Sequence, residues 1–99
     1  MGKFKNDWYG SVKKFIMIYY PKGDESTEIR KKIIENCNIV LLEMAKNEHG
    51  KDQIKAIKMV LIDKTHTVDG VALELHYGSR TVQRWVSRFI EQVGERSGF

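Results

Sequence analysis

An all-α fold of four or five helices, with a long central helix and a helix-turn-helix near the end, is predicted from three features of the chain. Apolar residues recur at three- and four-residue spacing in every long segment, and no window alternates strictly as a half-buried strand would. Turn-forming clusters (Pro21-Lys22-Gly23-Asp24, His49-Gly50 and Tyr77-Gly78) separate those segments. The chain's 99 residues, 41% of them apolar, suffice for one hydrophobic core and leave too few for a second. One domain is therefore expected over 1–99, with residues 1–50 as an oligomerisation part and 51–99 as the part that meets a ligand.

The first helix is expected from Asp7 to Tyr20. Trp8, Val12, Phe15, Ile16 and Tyr19 share one face, and Asn6 or Asp7 would cap its start. The second runs from about Ser26 to Asn47, where Ile29, Ile33, Cys37, Val40, Leu41 and Met44 form a continuous stripe. Ile34, Ile39 and Leu42 widen that stripe. At about 1.5 Å per residue this helix is roughly 33 Å long, so it either braces every other helix or pairs with another subunit. The acidic pair Asp24-Glu25 precedes it, where negative charge favours the helix dipole. A third helix is expected from Asp52 to Asp63, with Ile54, Ile57, Val60 and Leu61 inward. Val60-Leu61-Ile62 resembles a short strand, but its lysine-rich helical approach argues for helix. Two further pieces follow, Val68 to His76 and Ser79 to Gly94.

The net charge of +4 leans weakly toward an acidic partner, and its distribution says more. Residues 1–22 carry five lysines (Lys3, Lys5, Lys13, Lys14 and Lys22) against Asp7 alone. Residues 78–90 carry Arg80, Arg84 and Arg88 with no acid. Positive charge gathered at two places is the pattern of a nucleic-acid footprint.

The stretch from Val68 to Ser87 places a short helix before a longer one through a three-residue connection, the scale of a helix-turn-helix. Two helices that cross closely need a small side chain between them, and Ala72 supplies it. Val71 and Leu75 face the core one turn apart, and Tyr77 plugs the turn with its hydroxyl toward water. Val82, Trp85, Val86, Phe89 and Val93 point back inward from the second helix. Its other face shows Ser79, Arg80, Thr81, Gln83, Arg84, Ser87 and Arg88, side chains able to reach base edges and phosphate oxygens. An ordinary solvated helix face would more often mix lysine with glutamate, and glutamate returns only at Glu91 and Glu95.

Aligned with Val68 first, these residues resemble the twenty-residue helix-turn-helix pattern, which covers about a fifth of the chain. The small residue falls at Ala72 and the buried ones at Val71, Leu75, Tyr77, Val82 and Trp85. The run from Lys55 to Trp85 looks like region four of bacterial sigma factors. Phage regulators of the RinA and ArpU families are similar in layout, including a tyrosine-proline dipeptide, here Tyr20-Pro21, before a long helix. The resemblance implies a phage or prophage transcriptional regulator, in the cytoplasm of a bacterial host and near its nucleoid. Its partners would be double-stranded DNA, a second copy of the chain in a homodimer, and possible contact with RNA polymerase. Arg80, Thr81, Gln83 and Arg84 would lie near bases, while Ser79, Ser87, Arg88, Lys64 and Lys55 would hold the phosphate backbone. Two positions depart from the pattern. His76 replaces the usual turn glycine, which puts the turn's geometry in question. Gly70 stands where a glutamate often completes a capping box with Thr67.

Other classes find less support in the residues. No apolar run approaches the ~20 residues that cross a bilayer, so no membrane role is expected. The amino terminus has no signal-peptide layout, and Met1-Gly2 is followed by Asn6 where myristoylation wants Ser or Thr. The single cysteine, Cys37, lies on an apolar stripe and reads as a core residue. His49, His66 and His76 lack metal-ligand spacing, and no phosphate loop or nucleophile elbow is present. No cofactor, metal or enzymatic activity is therefore expected. Two rivals remain: a ring-forming small terminase-type subunit that packages DNA, and a polymerase-binding interaction module that never reads DNA.

Overall fold

A computed structural model describes residues 8–23 and 26–98, and over these the chain is all-helical. The helices are α1 (Tyr9–Tyr19), α2 (Glu28–Met44), α3 (Gly50–Ile57), α4 (Val68–Leu75) and α5 (Ser79–Arg96), with a π-helical turn, Lys58–Ile62, continuing α3. The expected caps Asn6 and Asp7, the lysines Lys3 and Lys5, and the pair Asp24-Glu25 lie outside the described residues.

α1 starts at Tyr9, two residues later than expected, with Trp8 at its cap position and no side-chain capping bond. Val12 and Ile16 are fully buried, while Trp8, Phe15 and Tyr19 are half-buried. α2 is shorter than expected at both ends. Thr27 accepts a hydrogen bond from the Arg30 amide at 3.2 Å and so caps the helix one residue inside Ser26. The Arg30 side chain then reaches Ser26 Oγ (2.9 Å) and the Tyr19 hydroxyl (3.1 Å), and its guanidinium carbon lies 4.0 Å from the Tyr19 ring centroid. These contacts tie the end of α1 to the start of α2.

At its other end α2 stops at Met44 rather than Asn47, because the chain reverses tightly into α3. Gly50 packs against that reversal: a Cβ there would lie 2.3 Å from the Met44 carbonyl oxygen. His49-Gly50 thus begins the next helix, where the sequence suggested a terminator. Of the apolar residues assigned to the α2 stripe, Ile33, Ile34, Cys37, Val40 and Met44 are buried. Ile29, Ile39 and Leu42 are exposed, Leu42 at 69%. The buried arc meets α1, α3 and α5, and three neighbours do not wrap the whole circumference.

The expected third helix divides in two. After Ile57 the backbone widens, and the Asp63 amide reaches back to the Lys58 carbonyl at 2.7 Å, a five-residue step. Val60-Leu61-Ile62 lies in this widened turn and not in a strand, with Met59 and Leu61 in the core. Lys64 ends the turn at φ +55°, and its ammonium donates to the Met17 carbonyl (2.9 Å) in the last turn of α1. A cation there satisfies a carbonyl that the end of the helix leaves open.

α5 is the core's axis, packing on α1, α2, α3 and α4. Val82, Val86, Phe89, Ile90 and Val93 are buried along it, and Trp85 retains 9% exposure. α5 runs two residues beyond the expected Gly94. Gly94 is required by α1: a Cβ on it would come within 2.2 Å of the Trp8 ring. At the far end of α5, Ser97 accepts a buried hydrogen bond from Asn36 Nδ2 (2.9 Å), and Arg96 pairs with Glu43. Both contacts fasten α5 to α2.

Candidate functional site

The candidate site is built on α4, α5 and the three residues between them. Thr67 caps α4 by accepting from the Gly70 amide at 3.1 Å. This is half of a capping box; Gly70 has no side chain to return the bond. Ala72 is 4% exposed and Val71 fully buried where α4 packs on α5. The turn question raised by His76 resolves locally. His76 itself takes the left-handed conformation (φ +64°, ψ 41°), and the Tyr77 amide closes the turn on the Ala72 carbonyl at 3.0 Å. Histidine is among the non-glycine residues that tolerate this region at a modest cost.

Tyr77 does more than plug the turn. Its ring meets Trp85 edge-on, with centroids 4.7 Å apart. Its hydroxyl, expected to reach water, donates instead to Asp52 Oδ2 at 2.6 Å, in the first turn of α3. The bond to Asp52, with burial and the carboxylate's charge adding to it, pushes the phenol's pKa above its ordinary value.

α5 begins at Ser79 because Gly78 is extended (φ −75°, ψ 148°) and carries no capping side chain. On the outer face of α5, Ser79, Arg80, Gln83, Arg84 and Arg88 are exposed, while Thr81 and Ser87 are half-buried on opposite flanks. Among the described residues, Arg80, Arg84 and Arg88 form no ion pair. An open groove runs between the starts of α4 and α5, lined by Thr67, Val68, Asp69, Ser79, Arg80 and Gln83.

The predicted residues do not all stand equally free. Ser87 Oγ accepts from both the Tyr9 hydroxyl (3.1 Å) and Gln83 Nε2 (3.0 Å). That chain leans Gln83 along the helix and ties its flank to α1. Lys64 lies in the loop before α4 with its ammonium on Met17, and Lys55 is exposed on α3. The face of α5 that stays open is thus centred on Arg80 and Arg84. Sequence reading missed the roles of Tyr9 and Asp52, which lie 78 and 25 residues from their partners, and no local pattern marks either.

Among the described residues no group of His, Cys, Asp and Glu is arranged to hold a metal ion, and no helix is long and apolar enough to cross a membrane. Compared with known proteins, the chain matches no family, no curated protein and no solved structure.

Proposed function

We propose that α4 and α5 form a helix-turn-helix and that the protein binds double-stranded DNA, as a transcriptional regulator of the phage type, with α5 in the major groove. The observation that carries this reading is the row Arg80, Arg84 and Arg88: three exposed guanidinium groups on one helix face, without a carboxylate partner among the described residues. Unpaired arginines at helical spacing match guanine edges and phosphate oxygens better than they serve an ordinary surface, where acidic neighbours would balance them. Ser79, with the first amides of α5, supports phosphate contact at the helix start. Thr81 and Ser87 flank the row, and Gln83 reads a base only by giving up its bond to Ser87. Lys64 contributes less to this interface, since its ammonium is held on the α1 side.

One such helix reads only a few base pairs, so useful specificity calls for a homodimer or a tether to polymerase. The exposed Ile39 and Leu42 on α2 make that helix the candidate dimer seam. Selection of bound duplexes from a random pool, run beside a sizing column, tests the reading. A palindromic product with half-sites one helical turn apart, bound by a dimer, is expected. A ring of eight to ten copies would favour the packaging subunit. Retention that ignores salt between low and physiological ionic strength would reject phosphate contact altogether.

A further inference from the structure

We propose that the cleft between the end of α2, α3 and the middle of α5 binds a small organic carboxylate with an apolar body. The cleft encloses about 420 Å³, within the range of small-molecule sites. Its charged wall is Arg84 and Arg88, one turn apart on α5 and without an ion-pair partner among the described residues. The one carboxylate on its lining, Glu43, is already paired with Arg96, so the cleft keeps a net positive charge. Asn47 and Gln53 form the opposite polar wall. Asn47 Nδ2 donates to Gln53 Oε1 at 3.2 Å, which leaves the Gln53 amide N–H groups as further donors. The floor is the narrow apolar edge that Met44 and Trp85, 5% and 9% exposed, leave open to the cleft.

This combination selects the ligand class. Guanidinium forks match a carboxylate in two-point hydrogen bonds, and the edge of Trp85 that stays open rewards a small apolar body beside it. The floor is also connected to the turn: Trp85 touches Tyr77, which is bonded to Asp52 on α3. Arg84 belongs both to the cleft and to the face proposed for DNA. The binding site stands without that reading; where that reading holds, the carboxylate and the duplex compete for Arg84, and the ligand acts as an effector that releases DNA.

Phenylacetate is the probe, with acetate and benzyl alcohol as its charge-only and ring-only halves. Titration of the whole chain is followed by the NMR signals of the Trp85 and Trp8 indole N–H groups at constant ionic strength. The Trp85 signal should move saturably with phenylacetate, with a Kd at least about tenfold below that of either half, while Trp8 stays still. Arg88→Gln should weaken binding roughly tenfold with the Trp8 signal unchanged, which shows the fold intact. Equal responses to acetate and phenylacetate, or no saturable response, would overturn the proposal. Tighter binding of a tetraglutamate peptide would also overturn it, in favour of an acidic protein segment. Duplex retention is measured on the same sample without phenylacetate: its absence rejects the DNA reading and leaves the titration to decide the cleft alone.

Discussion

Tyr77 donates its hydroxyl proton to Asp52 Oδ2 across 2.6 Å, so the turn between α4 and α5 is held from outside by the first turn of α3. The same ring packs on Trp85, the residue that faces the cleft. One side chain thereby links three helices and sets how α5 presents its arginines.

Tyr77→Phe keeps the ring and removes the bond. Its thermal midpoint at neutral pH should fall by roughly a few degrees. The phenol's value is raised in the folded state, so its contribution is fully present below the ordinary tyrosine value of 10.0 and is lost as pH rises through the folded value. The difference between wild type and Tyr77→Phe should therefore shrink in alkaline buffer. A difference that persists unchanged above that range would show that the bond is not its source.

Cys37 is fully buried, and burial pushes its thiol from 9.0 up to about 12. The unfolded chain ionises first, so stability is present below pH 9.0 and declines as pH rises toward 12, by an amount of order a few kcal/mol. Urea titrations over that range should show a steeper loss for wild type than for Cys37→Ala. Thiol labelling at pH 8 should proceed only as fast as the protein opens.

His76 sits at φ +64°, where a side chain carries strain and glycine does not. His76→Gly should raise stability by about 0.5–1 kcal/mol, the relief being partly offset by glycine's freedom in the unfolded chain. His76→Val, branched at Cβ, should lower it. Equilibrium denaturation distinguishes the two directions, and a destabilised glycine variant would argue against a left-handed turn.

Gly94→Ala places a methyl group where the Trp8 ring lies, with a bare Cβ already 2.2 Å from the nearest ring atom. The ring must leave, and the overpacking cost of about 1–3 kcal/mol should outweigh the ~1 kcal/mol that alanine offers within a helix. Tryptophan emission should shift to the red as the indole meets water. Unchanged emission and stability would mean that α1 does not rest on Gly94.

Arg84→Ala is expected to weaken specific duplex binding by roughly 1–3 kcal/mol without changing the melting midpoint, because the side chain is exposed and makes no ion pair among the described residues. Filter retention on the selected operator and a thermal melt on the same preparation provide both readings. Equal retention would remove Arg84 from the interface.

The order of the helices, the turns at Pro21 and at Tyr77-Gly78, and the buried side of α5 were readable along the chain, since each depends on neighbours within about four residues. The small residue at Ala72 and the row of arginines were legible for the same reason. Where local pattern ran out, contacts between distant segments took over. Ile29, Ile39 and Leu42 carry the helical spacing of core residues, yet they lie outside the arc that α1, α3 and α5 cover. Spacing tells which residues share a face, and only the neighbouring helices decide how wide a face is buried. The commitment of Ser87 to Tyr9, of Lys64 to Met17 and of Tyr77 to Asp52 likewise arose from folding, because a polar side chain's partner is whichever group the packing of distant helices brings within about 3 Å.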